Sequence, residues 1–139
     1  VMLGYWEKSS TEEQTYSSSD WFKTGDLVEI SRDGYISIVD RKKDMILVSG
    51  FNVFPNEIED WVNQHPSVLE SAAIGVPNEK TGELIKLFVV LNESSITESE
   101  LLSHCRKGLT AYKVPKEIVF TQELPKSNIG KILRRELRQ

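Results

Sequence analysis

Asp40-Arg41-Lys42-Lys43-Asp44-Met45-Ile46-Leu47-Val48-Ser49-Gly50-Phe51-Asn52-Val53-Phe54-Pro55 is the stretch from which the fold is read. Five charges at 40–44 interrupt an apolar pattern. Met45-Ile46-Leu47-Val48 resumes it as a strand, and Ser49-Gly50-Phe51-Asn52 reads as a turn. Pro55 suits the first turn of a helix, where its missing N–H is not needed. In that helix Ile58, Trp61, Val62 and His65 fall at i, i+3, i+4 and i+7, one apolar face, and Pro66 ends it. Upstream, Leu27-Val28-Glu29-Ile30 and Tyr35-Ile36-Ser37-Ile38-Val39 are β-type runs around Arg32-Asp33-Gly34, and Asp-Gly is a hairpin signal. Downstream, long strands are expected at 68–76 and 83–91. Thr97-x-x-Glu100 is a capping box before a helix whose inner stripe is Leu101, Leu102, Cys105 and Leu109. Glu117-Ile118-Val119-Phe120 reads as a last strand and 132–137 as a short basic helix. Two or three strands mixed irregularly with two or three helices predict an α+β fold. The predicted architecture is a small mixed or antiparallel sheet flanked by helices. The 40–44 cluster is the predicted boundary between a terminal β-hairpin piece and that compact domain.

Composition sets the outer limits. The 139 residues are 39% hydrophobic and carry 8 glycines, which excludes disorder as the main state. The net charge of −4 is too mild to predict a nucleic-acid partner. No run of 18 apolar residues occurs, so no membrane-spanning helix is expected. The opening Val1-Met2-Leu3-Gly4-Tyr5-Trp6 has no basic region before it, as a signal peptide would. Its apolar start on valine leads us to expect a piece of a longer protein. Residues 7–20 are polar and Ser/Thr-rich and read as an exposed loop. Cys105 is the only cysteine, which fits a reducing compartment. His65 and His104 show no metal-ligand spacing.

Charge is unevenly spread. Residues 1–40 hold 3 Lys/Arg against 8 Asp/Glu, whereas 126–139 hold five cations against Glu136. Three segments carry side chains suited to phosphate or ribose. Trp21-Phe22-Lys23-Thr24-Gly25-Asp26 sets a carboxylate at a turn, where it can accept hydrogen bonds from a ribose diol. Arg41 offers a planar fork for a phosphate or ribose oxygen. Leu124-Pro125-Lys126-Ser127-Asn128-Ile129-Gly130-Lys131 places a lysine after a flexible turn, from which its ammonium can meet a phosphate. Each has a plainer reading alone: a turn-forming Asp, a solvated charged linker, a basic loop. Cys105 on an apolar helical face reads as core packing.

Taken in order and spacing, five segments resemble the C-terminal part of AMP-forming acyl-CoA synthetases. They are 1–6, Trp21 to Leu27, Asp33-Gly34-Tyr35, Val39 to Glu59, and Pro125 to Arg135. These enzymes belong to the adenylate-forming superfamily, and 40–59 and 125–137 are most similar to bacterial long-chain fatty acid–CoA ligases. The resemblance implies that 1–42 ends the large N-terminal domain and that 43–139 is the mobile small C-terminal domain. It implies a two-step reaction in which a carboxylate attacks the α-phosphate of ATP and CoA then displaces AMP. Lys131 matches the mobile catalytic lysine, Asp26 the residue that binds the ribose hydroxyls, and Arg41 the arginine that helps hold the nucleotide. Lys43 falls at the hinge. Gly50 matches the glycine lining the pantetheine tunnel, with Ser49 and Phe51 on the same CoA-facing turn. Asn52 stands where some acetyl-CoA synthetases carry an arginine for CoA, so that contact is not assumed.

The same resemblance implies ATP, fatty acid and CoA as substrates and AMP as a product. It puts the ligands of Mg²⁺ in the missing N-terminal domain, the expected partner. The expected location is cytoplasmic, at most peripheral on the inner face of the membrane, with no nucleic acid bound. The 139 residues alone are expected to be inactive. One alternative is an adenylating enzyme for an aryl or amino acid. Two of another class are a basic module binding nucleic acid or anionic lipid, and an interaction domain without a nucleotide role. No aromatic residue is interleaved with the cations of 126–139, which argues against single-strand binding.

Overall fold

The structure, a computed structural model, describes residues 21–92 and 95–138. The opening hexapeptide and the polar stretch 7–20 lie outside the described residues. The chain divides into two compact units between Lys42 and Lys43.

In the first unit, β1 (Asp26–Ile30) pairs antiparallel with β2 (Ile36–Arg41). The turn is held by Ser31. Its N–H donates to the Tyr35 carbonyl, its carbonyl accepts from the Gly34 N–H, and its hydroxyl accepts from the Tyr35 N–H. An irregularity between Leu27 and Val28 adjusts the register so that Asp26 faces Arg41. Val28, Ile30, Ile36 and Ile38 remain exposed on this two-stranded ribbon.

The second unit runs β3 (Ile46–Val48), β4 (Phe51–Val53), α1 (Pro55–Val62), β5 (Val68–Asn78), β6 (Gly82–Leu91), α2 (Glu98–Gly108), β7 (Glu117–Thr121) and α3 (Arg134–Leu137). A 3₁₀ turn at Ala111–Lys113 precedes β7. The sheet order is β4-β3-β6-β5, with β7 added parallel to β6. This is an α+β domain on a mixed sheet. Its five strands exceed the two or three expected, and the one that local signals do not mark is β4, whose three residues are too few to show alternation. Phe51 and Asn52, read as turn residues, belong to β4. The turn is Ser49-Gly50 alone, with φ of +50° and +84°, as a two-residue hairpin loop of mirror-image type requires. Helix α1 stops at Val62 rather than running to Pro66. Asn63 caps the helix with still-helical φ and ψ, and the residue before a proline is pushed out of that geometry, so the helix does not continue through His65. His65 therefore sits in the following turn, where Val68 N–H bonds its carbonyl.

Neighbouring strand residues point to opposite faces. Ala73 and Val89 enter the main core with Ile58 and Val62 of α1 and Leu101 and Cys105 of α2. Ala72 and Val90 instead pack with Leu124, against which Phe88, Ile132 and Leu137 also lie. The two helices thus cover one face of the sheet and the C-terminal segment covers the other. The predicted capping box is present: Thr97 Oγ1 accepts from Glu100 N–H, and Glu100 Oε2 accepts from Thr97 N–H at 2.9 Å.

Candidate functional site

Lys131 stands on a hairpin that is not the flexible turn expected. Lys126 and Ile132 form an antiparallel bridge. Inside it, Ser127 N–H donates to the Lys131 carbonyl at 2.8 Å, and its hydroxyl accepts from Lys131 N–H at 3.2 Å. Gly130, at φ +77°, donates to the Ser127 carbonyl. This is the arrangement around Ser31 and Gly34 repeated. The backbone of Lys131 is therefore fixed on both its polar groups while its side chain is exposed.

The other cations of the tail are engaged. Lys126 Nζ is 2.7 Å from Glu70 Oε2, and Arg135 lies 3.8 Å from Glu136. Arg134 is largely buried and bidentate on Glu59: Nε donates to Oε1 at 3.2 Å and Nη2 to Oε2 at 2.7 Å. It also donates to Asn56 Oδ1 and lies 3.9 Å from Asp44. Arg138 reaches Asp44 Oδ1 at 3.3 Å and the Lys43 carbonyl at 3.5 Å. Asp44 and Glu59 are buried, so the 40–44 cluster is not simply a solvated linker. Among the described residues, no ion pair includes Lys131. Lys43 is exposed at the first position of the second unit.

In the first unit, the ribbon brings two separated candidates together. Asp26 and Arg41 are cross-strand partners, with Arg41 Nε 3.2 Å from Asp26 Oδ1. Asp26 N–H donates to Thr24 Oγ1, and Lys42 N–H to the Gly25 carbonyl. The Arg41 side chain is 57% exposed and keeps donors for a further acceptor.

The Ser49-Gly50 turn is anchored to β6 and the loop before it. Ser49 N–H donates to the Thr81 carbonyl at 2.7 Å, and Leu47 N–H to Glu83 Oε2 at 2.7 Å. A Cβ on Gly50 meets nothing within 4 Å, so the visible demand for glycine is its φ. Phe51 stacks on Tyr112 with ring centroids 4.7 Å apart. A groove of about 550 Å³ opens beside this turn, lined by Ser49, Lys80, Thr81, Tyr112 and Lys116 among others. Sequence reasoning missed its two lysines, which sit in unrelated segments. Among the described residues, no group of three or more His, Cys, Asp or Glu could hold a metal. Cys105 is fully buried, and desolvation pushes its thiol up to about 11.

A profile of the AMP-binding enzyme C-terminal domain matches residues 57–131. A long-chain-fatty-acid–CoA ligase of Yersinia pestis is 61% identical over 99% of this chain and 24% of its own length. ATP-bound MatB from Rhodopseudomonas palustris superposes with a TM-score of 0.93 at 36% identity, over 99% of this chain and 28% of that one. The o-succinylbenzoate CoA synthetase MenE of Bacillus subtilis, in complex with its acyl-adenylate, gives 0.90 at 31% identity, over the whole chain and 28% of that one. The chain thus spans about a quarter of the length of the curated relatives it matches.

Proposed function

The chain belongs to the family of AMP-binding enzyme C-terminal domains, and from that premise we propose that it serves a long-chain fatty acid–CoA ligase. The name of its Yersinia relative, at 61% identity, supports that substrate class over an aryl or amino acid. In the first step a fatty-acid carboxylate oxygen attacks the α-phosphorus of ATP, the bond to the β-phosphate bridging oxygen breaks, and pyrophosphate leaves. In the second, the CoA sulfur attacks the acyl carbon, its proton is lost, and AMP departs with the electron pair. Residues 43–139 form the small domain that turns about Lys43, and 1–42 complete a large N-terminal domain. That domain is the expected partner. The exposed apolar side chains of the ribbon support this, since a lone two-stranded sheet needs a further layer.

The observation that carries the reading is the state of Lys131. It is the cation of the basic tail that has no carboxylate within ion-pair range among the described residues, on a backbone that its neighbours hold rigid. A preplaced, unneutralised ammonium stabilises charge developing between two anions and loses little on reorganisation. Asp26 would accept from the ribose hydroxyls, with Arg41 beside it donating to the nucleotide. The Ser49-Gly50-Phe51 turn would face CoA in the second step, and the lysines of the adjoining groove suit its phosphates. Mg²⁺ accompanies ATP in such reactions. Among the described residues no group of three or more His, Cys, Asp or Glu could hold it, and its ligands would lie in the N-terminal domain.

The parent enzyme would work in the cytoplasm. No helix among the described residues is long and apolar enough to cross a membrane. Lys131→Ala in the intact enzyme tests the proposal. Adenylation, followed by pyrophosphate exchange, is expected to fall by about 10²–10³-fold. Thioester formation from preformed acyl-AMP is expected to persist. Unchanged adenylation would overturn the reading.

A further inference from the structure

Resting on that reading, we propose that Arg134 and Glu83 are positioning residues, each dedicated to one of the two half-reactions. Arg134 sets the adenylation lysine and Glu83 sets the CoA-side turn.

The two working faces are held by separate anchors. The Lys131 hairpin belongs to the segment that covers one sheet face through Leu124, Ile132 and Leu137. Apolar contact fixes its depth but not its direction, because dispersion has no preferred axis. Arg134, three residues beyond Lys131, supplies direction. Its planar fork meets Glu59 with two bonds, and Asn56 and Asp44 from the same side chain. Glu59 in turn accepts from Ala73 N–H at 2.8 Å on β5, the strand at the end of the sheet order. The lysine's segment is thereby tied to α1, to the sheet, and to the residue after the hinge position Lys43.

The Ser49-Gly50 turn has anchors of its own. That turn hangs on Glu83 Oε2, which accepts Leu47 N–H, and on the Thr81 carbonyl, which accepts Ser49 N–H. Direct ladder pairing of β3 with β6 is limited to Val48 and Gly82. A carboxylate from β6 thus supplements a very short ladder.

Misplacement of a reacting group by about 1 Å can cost about 10²-fold in rate. The two anchors should therefore fail separately. In the intact enzyme, Arg134→Gln is expected to lower adenylation at least about tenfold more than thioester formation from preformed acyl-AMP. Glu83→Ala is expected to do the reverse, and Glu83→Gln, which keeps an oxygen acceptor, to restore the second step. The ratio of the two rates does not depend on the fraction of molecules folded, so a merely structural role would leave it unchanged. Should Arg134→Gln not accumulate as folded enzyme, Arg134→Lys gives the same ratio with charge retained and the fork removed. Parallel loss of both steps in the Arg134 and Glu83 variants would overturn the proposal. Retained adenylation in Lys131→Ala would instead overturn the functional reading beneath it.

Discussion

Gly108 gives up a side chain to the indole of Trp61: a Cβ built on it would lie 2.1 Å from the ring carbons. The indole is locked there, because its Nε1 donates to the His104 carbonyl at 3.0 Å while the His104 ring stacks against it. Gly108→Ala must displace the ring and part α1 from α2. We expect a loss of about 3 kcal/mol, at the upper end for overpacking. For a domain of this size that lowers Tm by roughly 10 °C or more, as calorimetry would read. An unchanged Tm would mean the indole swings aside without cost.

Ser127→Ala removes the hydroxyl that accepts the Lys131 N–H. One partly exposed hydrogen bond is worth about 1 kcal/mol. Adenylation in the intact enzyme should fall by about fivefold, with Tm lowered by only a few degrees. Ser31→Ala deletes the same bond at the other hairpin, to Tyr35, and should leave the ratio of the half-reactions unaltered.

Asp26 and Arg41 touch, so their effects on nucleotide binding should not add. Asp26→Ala and Arg41→Ala are each expected to raise the KM for ATP. The double substitution should cost less than the product of the singles. Strict multiplicativity in steady-state kinetics would show that the pair does not act as a unit.

Cys105 should be inert in the folded protein. With its thiol raised from 9.0 to about 11 by desolvation, about one molecule in a thousand carries thiolate at pH 8. Alkylation followed by mass spectrometry should therefore report global unfolding. The sign for stability follows: the unfolded state loses this proton first, so stability declines as pH climbs from about 9 toward 11. Rapid labelling under native conditions at pH 8 would contradict the burial.

Glu100 shifts the other way. Hydrogen bonds from the Thr97 side chain and backbone hold its carboxyl below the usual 4.5. The capping contribution is therefore complete above that value and is lost as pH falls through the lowered one. Glu100→Gln should flatten the acid limb of a denaturation curve below pH 4.5, measured by circular dichroism.

Much of this was legible locally. The capping box at Thr97, the hairpin at Asp33-Gly34 and the long strands on either side of 78–82 all write their signals within a few residues. The Ser-x-x-Gly-x spacing that holds both Tyr35 and Lys131 was also present twice in the sequence, and only its hydrogen bonds make it a recurring device. What could not be read was set by distance along the chain. Nothing near Glu59 announces that its charge will be met by Arg134. Nothing near Gly108 announces Trp61. The parallel pairing of β7 with β6 depends on a crossover that periodicity does not encode. The Asp26–Arg41 pair had an intermediate status: each residue stood out singly, and the ribbon register joined them.

The ribbon ahead of Lys43 has a practical consequence for handling the molecule. Ile30, Ile36 and Ile38 are each about two-thirds exposed, on a sheet whose described edges carry no third strand. Such a surface invites copies to stack in the test tube. A shortened version opening at Lys43 should sediment as a single species at concentrations where the 139-residue form already self-associates, and it is the better sample for spectroscopy.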